Sequence, residues 1–418
     1  NGPYDLRLGY SILPDAITRL KRQGFAISAQ AAMSPMMMQL ADDYGFFNIY
    51  HEKSQAGLTI SDKADQVIFK TVYPAFNYPS FEAVPPVVLN TLSYIENREL
   101  LSEENTQVNP AIEWDRLGYA ALQMMASKVG LVGNVAGGST LATQLEKYRH
   151  SPNGITSTVM DKFHQMGTAS LRAYMEGPNT HSMRQEIALS YLNSMPLAAT
   201  PKQGEIHGLG DGLNAWFGAD FNEVNRLLSA DALNAQTQIS PQQAQVYRQV
   251  LNILLSQRRP TYYLGKGFDA LQKLTDSYLR IMADQGVISP ELRDATLNAK
   301  IIRAPQMTDA NAEPSVFDAE KKTLNVLRTR LAKMIGVNSN YELDRIDLTA
   351  KTVLDFKTQL AVSEKLHELS GSSGAHSAGL YGKKMLSGSS SLSPIIYSLM
   401  LYEKTPMGNL LRVQTDNF

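Results

Sequence analysis

Four prolines in thirteen residues, Pro74, Pro79, Pro85 and Pro86, constrain the fold most, because proline lacks a backbone N–H and fits neither a helix interior nor a central strand. The chain has to change character there, and a domain boundary is placed near Val84. Ahead of it, a helical stretch from Asp15 to Gln23 precedes Gly57 to Tyr73, two β-rich runs around a polar Ser-Asp-Lys-Ala-Asp turn that predict a hairpin. Met33 and Met36 to Met38 read as adaptable packing, with lipid contact as the sharper alternative. Behind the prolines, apolar residues recur at helical spacing in Ile112 to Val129, Thr140 to Arg149, Thr156 to Glu176, Met183 to Asn193, Pro241 to Ser256 and Leu271 to Gln285. Ser289 and Pro290 predict an N-cap and first helical position, while Gly130 to Gly138 and Gly204 to Gly218 read as loops.

After Pro305 the pattern changes again. A helix from Ala319 to Ile335 leads into the β-like alternation Leu343 to Asp355, and a second helix runs from Phe356 to Leu369. The Gly/Ser-rich stretches Ser370 to Gly379 and Ser387 to Ser393 read as mobile. Two strands joined at Thr405 to Asn409 close the sequence; a hairpin needs a sheet to join, so this region reads as the start of a larger domain. The fold class expected is α+β and mainly helical, divided at 1–84, 85–304 and 305–418.

Composition narrows the chemistry. The 418 residues are 43% hydrophobic, enough for a sizeable core, and 39 basic against 40 acidic side chains leave a net charge of −1 with no global case for nucleic acid. There is no Cys, which removes disulfides, thiolate metal sites and a cysteine nucleophile, and fits an extracytoplasmic compartment. None of the seven His stands at metal-ligand spacing, although His164 lies close to Lys162. No apolar run reaches the ~18 residues that span a bilayer. The sequence opens on Asn1 rather than Met, so a processed piece with an anchor upstream is expected.

Two segments carry chemistry. In AGGSTLATQLEKYRHSP, Ala136 to Pro152, the glycines allow a tight turn and Ser139 or Thr140 can cap the next helix, whose positive end suits phosphate. Lys147, Arg149 and His150 follow; an ordinary capped helix explains the same residues, and GxxxxGK[ST] is absent. Earlier, in IENREL, Glu96 follows an apolar stretch beside Arg98, suited to general-base work on a hydroxyl or equally to a solvated ion pair.

In this order and at this spacing the two segments resemble the peptidoglycan glycosyltransferases (glycosyltransferase family 51), the polymerising domain of bifunctional penicillin-binding proteins. Against the motif EDxxFxxHxG the chain has Glu96, Asn97, Leu100 and Glu103. Against GGSTxTQQLxKN it has Gly137, Gly138, Ser139, Thr140, Gln144, Leu145 and Lys147, departing at Ala142, Thr143 and Tyr148. Of RKxxE only Lys162 is kept, with Gln165 at the second carboxylate position. The fourth motif is similar to Arg184 through Asn193, followed by Trp216-Phe217-Gly218, and the fifth is weak. The likeness spans about residues 84 to 300.

The resemblance implies a lysozyme-like domain that polymerises lipid II, with Glu96 as base and Gln165 in place of the second catalytic carboxylate. It implies substrate contacts from Asn97, Arg98, Gly138, Ser139, Thr140, Gln144, Lys147, Arg149, Lys162, Arg184 and Asn193. It implies no certain cofactor, and a divalent cation (Mg2+ or Mn2+) is the candidate. The implied partners are lipid II, the growing glycan chain, the membrane surface and other cell-wall enzymes, and the implied place is the extracytoplasmic face of the inner (cytoplasmic) membrane. A jaw around Leu122 to Val135 touches the bilayer in the family. The third region is similar to the entry of a transpeptidase-like domain, yet no serine has Lys three residues later, so cross-linking chemistry is absent. The rival reading is a catalytically weakened lipid II-binding scaffold; a lysozyme-like hydrolase fits the GGST segment less well.

Overall fold

A computed structural model describes residues 3–51, 53–104, 106–112, 139–201, 203–234, 238–304, 318–388, 391–392, 395–406 and 408–417. The chain forms two compact units, each assembled from separate stretches. One holds 1–6, 28–55 and 73–309; the other holds 7–27, 56–72 and 310–418. The first 84 residues thus contribute to both. The class is α+β and mainly helical.

The larger unit is organised around the helix Pro241–Ser256, which packs on Pro86–Glu96, Gly208–Phe217, Phe221–Leu228, Phe268–Asp284 and Pro290–Asn298. A helix surrounded on all sides has to be apolar all round. Tyr247, Val250, Leu251, Ile253, Leu254 and Leu255 are accordingly buried, and its Arg248 and Asn252 side chains find partners inside. Arg248 reaches Asp276 at 2.6 Å and the Thr296 carbonyl at 2.8 Å, while Thr275 donates to Asn252 at 2.7 Å. Ser240 caps this helix through Gln243 with Pro241 at the first position, so its observed start coincides with the expected one. Ser289 likewise caps Pro290–Asn298.

Gly204 to Gly218, expected as a loop, contains the helix Gly208–Phe217. Its glycines serve close approach rather than turning: a Cβ on Gly210 would lie 2.6 Å from Phe76, and one on Gly212 would lie 2.5 Å from Leu197. Only Gly208 (φ +77°) and Gly218 (φ +62°) at the two ends need a left-handed backbone. The expected helix Ile112 to Val129, the loop Gly130 to Gly138 and the jaw segment lie outside the described residues. The Met-rich stretch forms a helix, Pro35–Tyr44, capped by Ser34, but none of its residues is buried, so core packing does not describe Met36 or Met38.

Among the described residues, the smaller unit contains every strand. The hairpin of β1 (Leu58–Ser61) and β2 (Val67–Lys70) is antiparallel as expected, and β3 (Leu348–Lys351) lies parallel to β1 on its other edge. Leu58, Ile60, Ala332, Ile335, Leu343 and Ile346 form its core together with Ala16 from the helix Leu13–Arg22. The helices Asp318–Ile335 and Phe356–Leu369 follow the sequence pattern closely, and the second packs on the hairpin β4 (Ser398–Thr405) and β5 (Gly408–Asp416). Within Ser370 to Gly379, expected to be mobile, a short helix Ser372–Ser377 buries Ala375 and stacks His376 on Tyr381 at 3.9 Å.

Candidate active site

Glu96 ends the helix Pro86–Glu96, which Thr91 fastens to the central helix by a 2.8 Å hydroxyl contact with Tyr247. Asn97 terminates it in an extended conformation and returns its N–H to the Ser93 carbonyl at 3.0 Å. The helix Leu141–His150 then brings two side chains one turn apart, Gln144 and Lys147, onto one face. Gln144 Nε2 donates to Glu96 Oε2 at 3.0 Å. Burial lowers the proton affinity of Lys147, and the nearby Glu96 carboxylate offsets part of that. Lys162, on the helix Val159–Ala173, is lowered by burial and then by the positive charge of Lys147, and its ammonium donates to Ser139 Oγ in a short contact. Glu96, Gln144, Lys147, Lys162 and Ser139 therefore form one continuous electrostatic cluster.

Several other residues of the sequence motifs lie elsewhere. Arg98 is exposed and stacks on Tyr94 at 4.3 Å. Thr140 is buried as the N-cap: its hydroxyl accepts from Thr143 N–H at 3.3 Å and donates to the Ala111 carbonyl at 3.0 Å. Arg184 is a buried clamp on the chain that follows Glu96, donating to the carbonyls of Glu99, Leu100 and Val108 at 2.8, 3.0 and 2.7 Å. Asn193 pairs both ends of its amide with the backbone of Tyr78 at 2.9 Å. Gln165 is buried, donating to Ser151 at 2.6 Å and accepting from Thr156 at 3.1 Å. Asn97 is buried, and its Oδ1 has no hydrogen-bond partner among the described residues. Gly138 lies outside them.

Arg149 and His150, expected to meet a pyrophosphate, instead turn inward to Glu146, a carboxylate with no exposed surface. Arg172 Nε contacts Glu146 at 2.6 Å, Arg149 at 3.1 Å and His150 at 3.3 Å; His150 also reaches Asp5 at 3.2 Å and stacks under Phe47 at 4.3 Å. The cause is helical period. Glu146, Arg149 and His150 share the face opposite to Gln144 and Lys147. Burial works to raise the Glu146 proton affinity, but Arg172, Arg149 and His150 outweigh it and hold the carboxyl well below the usual range. His164 is committed to packing, edge-on to Phe47 and against Gly45.

Sequence reasoning missed Tyr148 and Gln257. Both are in the cluster: Tyr148 donates to Gln144 Oε1 at 3.4 Å, and Gln257 Nε2 donates to the Tyr148 hydroxyl in a short contact. A departure from the motif at Tyr148 was the only signal available.

Residues 65–267 match the family model described as Transglycosylase, and this part of the chain is a domain of the peptidoglycan glycosyltransferase family. No curated protein matches the chain.

The Glu146 network makes a stability prediction. Glu146→Gln leaves buried cations without their counter-charge and should cost about 3–5 kcal/mol in denaturant unfolding. His150 adds a pH dependence. Burial opposes its charge, yet Asp5 and Glu146 raise its pKa above the ordinary 6.5. Its stabilisation is fully present below 6.5 and is lost as pH rises through the elevated folded value. The unfolding midpoint of the native chain should fall across that window, and His150→Gln should flatten the fall; parallel curves would exclude His150 as the source.

Proposed function

We propose that this domain polymerises lipid II into glycan strands, releasing undecaprenyl pyrophosphate, at the extracytoplasmic face of the cytoplasmic membrane. The observation that carries this reading is one carboxylate, Glu96, held by Gln144 beside two partly buried lysines. Glu96 accepts the proton of the 4-hydroxyl of the acceptor sugar, and that oxygen attacks the anomeric carbon of the growing chain. The bond from that carbon to the diphosphate oxygen breaks, and its electron pair leaves with the lipid pyrophosphate. Lys147, Lys162 and the Ser139 hydroxyl meet the departing charge. Two partly desolvated cations, of which Lys147 lowers the proton affinity of Lys162, are suited to an anion of more than one charge, whose arrival relieves the repulsion.

A divalent cation fits this set of donors poorly. Glu96 faces lysine, and the amide of Gln165, where the motif has a carboxylate, is taken up by Ser151 and Thr156. The chemistry therefore runs on the lysines. Cell-wall enzymes that use or extend glycan strands are the protein partners this activity calls for.

Support for a membrane surface comes from the helix that carries Lys162. Val159 and Met160 in its first turn are 89% and 60% exposed, with Phe163 and the preceding Ile155 also exposed. Apolar side chains so displayed gain by entering a bilayer interface next to the cation that takes the lipid pyrophosphate.

Incubated with labelled lipid II in detergent, the native chain should produce glycan polymer, and Glu96→Gln should lower the rate by roughly 100-fold or more. Binding without polymer from the native chain would replace polymerisation with the scaffold reading. Val159→Asp should slow polymerisation of lipid II embedded in liposomes while leaving the detergent assay unchanged; equal rates in liposomes would remove this face from the membrane contact.

A further inference from the structure

Behind Glu96 a line of side chains runs into the core and has no part in the chemistry above. Gln257, just past the end of the helix Pro241–Ser256, donates through Nε2 to the hydroxyl oxygen of Tyr148. With that oxygen accepting, the phenol proton is directed to Gln144 Oε1, 3.4 Å away. The Gln144 carbonyl therefore faces Tyr148, and its NH2 faces Glu96 Oε2 at 3.0 Å. The reverse amide orientation would set a carbonyl oxygen against a carboxylate oxygen. Each link donates in the same direction, and the last member is a group that only accepts when ionised.

We infer that Tyr148, oriented by Gln257, is a positioning residue for Glu96: it acts through Gln144 to hold the carboxylate in one rotamer. Burial supports this assignment. Tyr148 is 6% exposed, and burial together with the Glu96 charge pushes its phenol above the ordinary range, so it remains a donor throughout neutral pH. Among the described residues, the groups whose charge or hydroxyl faces Glu96 include Lys147 and Tyr148 from the helix Leu141–His150 and the buried Tyr191 from His181–Ser194; Lys162 stands beyond Lys147. Tyr148 occupies the position where the glycosyltransferase motif has Asn, so the device belongs to this chain rather than to the motif. In a partly buried setting a chain of such donors strengthens the last bond.

The inference rests on Glu96 being the general base, and its test separates the two. Glutamate labelled with ¹³C at the carboxyl is followed by NMR at neutral pH in the full chain, with Glu96→Gln assigning the resonance. In Tyr148→Phe, which keeps the ring, the Glu96 carboxyl resonance should move from its native position and broaden as the side chain leaves its single rotamer. In the same variant kcat for polymerisation should fall about tenfold with KM for lipid II near native. Gln257→Ala, at a partly exposed position, should move the resonance in the same direction by less. An unchanged Glu96 resonance in Tyr148→Phe and Gln257→Ala would overturn the relay whether or not polymer is made. A native chain that makes no polymer would overturn the lipid II reading, and the resonance would still decide the relay.

Discussion

The fixed point of the larger unit is the fully buried carboxylate of Glu146. An isolated buried charge is unfavourable by several kcal/mol, so Glu146 is tolerable only with Arg172, Arg149 and His150 around it. Those contacts clamp the helix Leu141–His150 to the helix Val159–Ala173 and to the segment holding Phe47 and Tyr50, whose carbonyl takes a 2.8 Å bond from Arg172. With that face of the helix fixed, the opposite face has one orientation, and Gln144 and Lys147 can only point towards Glu96. Lys162 is set by the same clamp, because it rides on the helix that carries Arg172. A structural ion network and a reactive cluster are thus two faces of ten residues.

This division explains why a motif match conveys less than it appears to name. Gln144, Lys147 and Lys162 belong to the Glu96 cluster, whereas Thr140, Gln165, Arg184 and Asn193 bond within the surrounding frame. Arg184 illustrates the second group: by gripping three carbonyls after Glu96 it fixes where the helix Pro86–Glu96 ends and where the chain goes next. Substituting such a residue would disturb the backbone that leads away from Glu96.

Local signals in the sequence were legible where caps and periodicity agreed. Pro241–Ser256 starts and stops where its apolar spacing puts it, and Pro290–Asn298 starts at its Ser289 cap. Gly208–Phe217 was not legible, since glycines that permit close packing and glycines that turn a chain look alike before the neighbours Phe76 and Leu197 are known. The inward turn of Arg149 depended on Glu146 meeting Arg172 from another helix, a pairing that no local pattern records. Gln257 was invisible for the same reason, as its partner Tyr148 belongs to a distant segment.

The central claim is that Lys147 and Lys162 act as one anion-binding pair beside Glu96. A double-mutant cycle in the Glu96→Gln background, measuring lipid II binding for Lys147→Ala, Lys162→Ala and both together, tests it most directly. One shared pyrophosphate site predicts that the second substitution costs a different amount once the first is made, with a coupling clearly beyond the ~0.5 kcal/mol seen for independent sites. Strictly additive losses, or affinity unchanged by either substitution, would contradict it.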